Sequence, residues 1–288
     1  MVQDSPACRV HKVDDGLYYF KEADLVNLYL LVGRERAMLI DTGYGFVDYR
    51  PLIRQITCLP LLVVNTHGDP DHVLGSYLFE EVYLAPEDLH NLAAIDTPAF
   101  RREAVKYKVL PEMRPLVDEE AYCAASLNGT RILPLREGDV FDLGGGQTIA
   151  VYSVPGHSAG SMAFLDQKNR RFFTGDIITY QNIWNFGAPD RSSLCTMLRT
   201  YRKAKALQPL YDEVYSGHAQ TPVPPTVVDE LIACIEEIRT DHAHDERFES
   251  KFADLMSPLP KFSHRCGHVH IIYSEASLRE LLAAPEEA

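Results

Sequence analysis

The chain lacks the features that would seat it in a membrane or on a nucleic acid. No run approaches the ~18 consecutive apolar residues of a spanning helix, although 46% of its 288 residues are hydrophobic. Basic residues are scarce: 28 Lys and Arg face 41 Asp and Glu, a formal charge of -13. An acidic surface repels phosphate backbones, so no nucleic-acid partner is expected. The opening MVQDSPACRV has neither the basic start nor the apolar middle of a secretory leader, and the expected location is cytoplasmic. Six cysteines (Cys8, Cys58, Cys123, Cys195, Cys234 and Cys266) show no Cys-x-x-Cys spacing. A chain of this length does not need disulfides to close its core, so reduced, mostly buried thiols are expected.

Two other catalytic frames are also missing. No Lys-Ser/Thr follows Gly144-Gly145-Gly146, so this run reads as a hairpin turn and not as a phosphate loop. The stretch HSAGS, from His157, lacks the strand-turn-helix Gly-x-Ser-x-Gly pattern of a serine nucleophile.

What is present is a set of metal-ligating side chains. NTHGDPDHVLGS, residues 65–76, places His67, Asp69, Asp71 and His72 directly after the apolar run LPLLVV. A solvated turn would account for Gly68 and Pro70, but not for two histidines beside two carboxylates. Three more polar residues interrupt apolar context: His157 in YSVPGHSAG, Asp176 in RRFFTGDII and His218 in DEVYSGHAQ. Each follows a run that reads as a strand, and each has a glycine immediately before it, which permits a sharp turn. Loops at strand ends can converge on one rim. Four histidines and three carboxylates exceed one tetrahedral zinc and suit two metals sharing an oxygen ligand. Asp176 is the natural bridge, because a carboxylate has two oxygens.

The surrounding pattern is strands followed by helices, twice over. GLYYF, LVNLYLLVG and RAMLIDTG read as strands, the last ending at Asp41. Helices are expected near residues 50–56, from near His72, from near Pro86, over 193–207 and 225–238, and from Ser277, with a late strand at HVHIIYS. Residues 90–128, charged and interrupted by prolines, read as a partly helical insertion or lid, and 240–288 as a C-terminal extension. No clear linker divides the chain, so a single domain over 1–288 is expected. His242, His244, His264, His268 and His270 have no complete ligand spacing and read as surface polarity or subunit contacts. His268 and His270 would point the same way on a strand.

The loop and its partners resemble the metallo-beta-lactamase superfamily. That family's His-x-His-x-Asp-His motif is matched by His67-Gly-Asp69-Pro-Asp71-His72, and its later Gly-His, Asp and Gly-His positions by His157, Asp176 and His218. The early LIDTG, with Asp41, is also similar. The resemblance implies an α/β (α+β in some schemes) fold, the four-layer αββα sandwich. It implies that His67, Asp69 and His157 hold one metal, that Asp71, His72 and His218 hold a second, and that Asp176 bridges them. Asp41 would orient ligand histidines, and Asp71 and Asp176 would be catalytic, Asp71 orienting a bridging hydroxide. Asp69 departs from the family's histidine. Its hard oxygen makes the site less zinc-selective and more tolerant of manganese or iron. Two divalent metal ions are implied, zinc first and manganese or iron as alternatives.

The implied activity is metal-dependent hydrolysis, with a metal-bridging hydroxide attacking a small ester, thioester, lactone or related carboxylic-acid derivative. Phosphodiester or phosphonate hydrolysis is the alternative in the same class, and a catalytically silent metal-binding or interaction protein the alternative outside it. Tyr180, Trp184, Phe186 and Arg191 are candidates for a substrate pocket, with packing of a long loop as the competing reading. A small-molecule substrate is the expected partner; no membrane is expected, and a homo-oligomer stays open.

Overall fold

The short apolar runs of the first third pair in the order in which they are made. The computed structural model describes residues 7–180, 183–186, 193–218 and 220–285. Strands Cys8–Lys12 (β1), Leu17–Glu22 (β2), Val26–Val32 (β3) and Ala37–Ile40 (β4) pair antiparallel in sequence order. Short turns allow only antiparallel neighbours; parallel pairing needs a crossover. Crossovers follow. The helix Arg50–Ile56 (α1) leads to Leu61–Val64 (β5), parallel to β4. Helix Pro70–Val73 (α2) and a 3-10 turn over Leu74–Leu78 lead to Glu81–Leu84 (β6), parallel to β5.

A longer excursion carries the helices Leu89–Ile95 (α3), Pro98–Lys108 (α4) and Glu119–Ala124 (α5). It returns as Arg131–Pro134 (β7), parallel to β6. Among the described residues this gives a seven-stranded sheet in the order β1-β2-β3-β4-β5-β6-β7. Phe20, Leu28, Leu30, Leu39, Ile53 and Val63 are buried together in its core. Val140–Gly144 (β8) and Gln147–Ser153 (β9) form the expected hairpin. Gly144, Gly145 and Gly146 turn it with φ of 85°, 64° and 77°, a region L side chains avoid.

The chain divides into two compact units, residues 1–150 and 151–288. In the second, Met162–Asp166 (β10) and Arg171–Gly175 (β11) form a hairpin. Ile183–Asn185 (β12) follows, then the helix Leu194–Leu207 (α6) and the strand Glu213–Ser216 (β13), parallel to β11. Ser193 caps α6 by accepting from the Thr196 amide. The stripe Leu194, Met197, Leu198 and Tyr201 is buried as its periodicity predicts. Next come Val227–Asp241 (α7), Glu246–Phe248 (β14), Lys251–Met256 (α8), Lys261–Cys266 (β15), Val269–Ser274 (β16) and Glu275–Ala283 (α9). Strands β12, β16, β15 and β14 form a separate sheet in that order.

Helix starts shift slightly from expectation. α2 begins at Pro70, whose fixed φ suits a first turn, and α9 begins at Glu275, where Ser274 accepts from the Ser277 amide. No described helix is long and apolar enough to cross a membrane.

Candidate metal centre

Parallel pairing decides which residues meet at a sheet edge. β4 and β5 run together through Ile40↔Val64, so both release their C-terminal ends on one edge. Asp41 leaves β4 there with a φ of 64°, and its amide is held by the Val64 carbonyl at 2.8 Å. The buried Asp41 carboxylate accepts from the Thr66 amide at 2.7 Å, from the Thr66 hydroxyl at 2.9 and 3.0 Å, and from Nδ1 of His72 at 2.8 Å. Thr66 Oγ1 in turn lies 2.9 Å from Nδ1 of His67. The loop tip is pinned by the Gly68 amide donating to buried Asp88 at 2.8 Å.

Asp69 stands at the N-cap of α2 with extended backbone, but its side chain does not cap the helix. Its Oδ2 lies 3.8 Å from Nε2 of His67, with the side chain 13% exposed. Asp71 and His72 follow in the first turn, Oδ1 of Asp71 being 4.0 Å from Nε2 of His72. The rings of His67 and His72 are 4.1 Å apart. Thus His67 with Asp69, His67 with His72, and Asp71 with His72 all offer donor atoms within 4.8 Å of one another.

The second unit repeats the device. β11 and β13 are parallel through Gly175↔Ser216, so Asp176 and His218 leave the same edge. Nε2 of His218 is 3.0 Å from Oδ2 of Asp176, and Nε2 of His157 is 3.8 Å from the same oxygen. Nδ1 of His157 lies 2.8 Å from the Trp184 carbonyl.

These contacts fix what the imidazoles can offer. A backbone carbonyl only accepts, so His157 carries its proton on Nδ1. His72 likewise donates Nδ1–H to the Asp41 carboxylate. The Thr66 hydroxyl has one hydrogen, directed to Asp41, so its oxygen accepts Nδ1–H of His67. All three rings therefore present Nε2, the arrangement that partners of metal-bound histidine enforce. With the carboxylates Asp69, Asp71 and Asp176, this donor set fits divalent metals.

The structure brings His67, Asp69, Asp71 and His72 together in one unit, and His157, Asp176 and His218 in the other. Phe186 is buried against Ala253 and Ile272, with the ring of half-buried Trp184 4.7 Å away. Tyr180 packs against the core of the second unit, its ring 5.8 Å from His268. Arg191 lies outside the described residues. His268 and His270 do not share a strand face: His268 sits in the turn before β16 with its side chain 84% exposed, while His270 is buried. His264 is buried too, because Asp245 receives its Nδ1 at 2.6 Å.

Comparison with known proteins agrees with this geometry. A family model described as the metallo-beta-lactamase superfamily matches residues 22–218. The chain belongs to the metallo-beta-lactamase superfamily. Its mixed sheets flanked by helices are the superfamily's αββα architecture. It is similar to acyl-coenzyme A thioesterase MBLAC2 of Gallus gallus, 30% identical over 173 residues, covering 56% of this chain and 60% of that protein. The Bos taurus protein of the same name is 29% identical over 186 residues, 58% of this chain and 66% of that one. The chain thus spans less than two thirds of the length of these relatives. Among solved structures, a metallo-beta-lactamase family protein from Thermus thermophilus matches with a TM-score of 0.56 at 22% identity, covering 86% of this chain and 89% of that one. The sec-alkyl sulfatase PisA1 matches with a TM-score of 0.61 at 16% identity, covering 81% of this chain and 42% of that one.

Sequence reasoning missed two residues that hold these loops in place. Thr66 was legible in principle, as a hydroxyl directly before His67. Glu22 was not. It is buried at the end of β2 and accepts the Tyr44 and Phe46 amides at 2.7 Å each, holding the loop that follows Asp41. Burial outweighs these hydrogen bonds and pushes its carboxyl up to about 8.

Proposed function

We propose that the two half-sites act as one dinuclear centre that hydrolyses thioesters and related small carboxylic-acid derivatives. The observation that carries this reading is the common state of His67, His72 and His157, each with Nδ1 engaged and Nε2 presented. Superfamily membership over residues 22–218, which include all seven donors, supports their acting together. His67, Asp69 and His157 would hold one metal and Asp71, His72 and His218 the other. Asp176 suits the bridging place, since one of its oxygens already faces both His157 and His218. Zinc is the first candidate metal, with manganese or iron as alternatives that the Asp69 oxygen makes more acceptable.

When bound, such a pair supplies an acidified water and a Lewis acid for the attacked carbonyl. The chain's own residues set the rest. Asp41 and Thr66 hold two imidazoles rigid, so the site is organised before substrate arrives. The Asp71 carboxylate, in the first turn of α2, orients the attacking water and takes up its proton. No serine or cysteine nucleophile takes part, so water attacks directly. The thioester preference rests on the similarity to relatives named acyl-coenzyme A thioesterases.

The test is elemental analysis of the purified chain, followed by assays of thioesters, esters, lactones and phosphodiesters with zinc, manganese and iron. About two metals per chain and cleavage of a thioester are expected. Cleavage of phosphodiesters alone would overturn the substrate class, and failure to bind metal would overturn the whole reading.

A further inference from the structure

The family match ends at residue 218, yet the chain beyond it reaches back to a proposed metal ligand. The link is Asn185, on β12, only 1% exposed. Its Nδ2 donates to the carbonyl of Gly156 at 2.6 Å, the residue immediately before His157. Its Oδ1 accepts from the hydroxyl of Ser277, in the first turn of α9. The Ser277 oxygen also accepts the Leu194 amide, at the start of α6, at 2.8 Å. The orientation of the Asn185 amide follows from chemistry: the Gly156 carbonyl can only accept, so nitrogen faces it, and the Ser277 hydroxyl supplies its hydrogen to the oxygen.

The neighbouring Trp184 gives its carbonyl to Nδ1 of His157. Both residues belong to a three-residue strand, too short to stand alone. It is held by β16 in the parallel register Ile183↔Ile271, Trp184↔Ile272, Asn185↔Tyr273. Gly156 needs such a restraint. Its φ of 150° is open to glycine but not to other residues, and an added Cβ would stand 2.9 Å from the Met197 backbone. The Gly156 amide donates to the Ser158 carbonyl at 3.1 Å, and Asn185 holds the Gly156 carbonyl that leads into His157.

We propose that Asn185 is a positioning residue for His157, and that Ser277 and β16, beyond the family match, support that ligand through it. The inference rests on the proposed metal-holding role of His157. A carboxamide is required because the position must donate on one side and accept on the other. Aspartate preserves shape and acceptor but loses the donor.

The experiment titrates zinc into the unaltered chain, its Asn185→Ala, Asn185→Asp and His157→Ala variants, and the double variants, using a competing chromophoric chelator. Melting of each chelator-stripped protein is followed in parallel. Both Asn185 variants should weaken, by ~10–100-fold, the zinc that His157→Ala weakens most. They should add nothing to His157→Ala in the double variants, whatever each substitution costs in the melting of the stripped protein. If Asn185→Ala does not fold, the nearly isosteric Asn185→Asp decides. Unchanged zinc affinity overturns the inference alone, as does equal weakening in the His157→Ala background. An unaltered chain that binds none of zinc, manganese and iron removes the proposed function and this inference with it.

Discussion

Nδ1 of His72 donates to Oδ2 of Asp41 across 2.8 Å, joining residues 31 apart in the chain. The same carboxylate receives the Thr66 amide and hydroxyl, so one side chain orients both His67 and His72. Asp41→Asn tests this with little steric change, and asparagine tolerates the positive φ at this position. The carboxamide cannot accept on both atoms, so one imidazole loses its enforced tautomer. Metal affinity should fall ~10–100-fold with the fold intact, as read by zinc titration alongside circular dichroism.

Asp69→His should move metal preference toward zinc. The substitution exchanges a hard oxygen for a borderline nitrogen beside His67. Competitive loading with zinc, manganese and iron, followed by elemental analysis, reads the ratio directly. An unchanged ratio would mean that Asp69 does not tune the site.

Asp176→Ala removes the oxygen shared between His157 and His218. Activity should drop by more than the ~10–100-fold expected for loss of an orienting partner, with both metals weakened. His218→Ala should deplete one metal more than the other, because His157 remains. Metal stoichiometry measured beside kcat separates the two variants. A single turnover in labelled water should place solvent oxygen in the product without prior labelling of the protein, and a trapped acyl-enzyme would refute direct attack.

The Glu22 carboxyl, raised to about 8 by burial, keeps its proton in the folded chain where the unfolded chain has released it. Stability of the metal-free protein should therefore fall as pH rises from the ordinary carboxyl range through about 8. Glu22→Gln should flatten that slope, since glutamine carries no proton to lose. Melting of chelator-treated protein across this range compares the two. An identical slope in both would place the pH dependence in other groups.

Residues 90–128 and the C-terminal part show where local pattern stops informing. α6 was readable because Leu194, Met197, Leu198 and Tyr201 recur at helical spacing. α3 follows the helix start expected near Pro86, whereas α4 and α5 lie where proline and charge obscured any period. β12 spans only Ile183–Asn185, too few residues for alternation to show. β15 was missed because KFSHRC carries polar residues that only its hairpin with β16 and the His264–Asp245 contact make tolerable.

The sequence by itself determined the donors. Four lie within six consecutive positions, and the other three each follow a glycine at the end of an apolar run, so the candidate donors and the superfamily were legible from local order. Tertiary structure alone decided how those donors are aimed. The proton of His72 is assigned by Asp41, that of His157 by the Trp184 carbonyl, and the carbonyl of Gly156 is held by an asparagine whose own partner, Ser277, lies 92 residues further along. A hydrogen bond depends on which groups the fold places within ~3 Å and at what angle. Residue type sets only what each group can donate or accept, so these assignments appear only once folding has brought distant segments together within each unit.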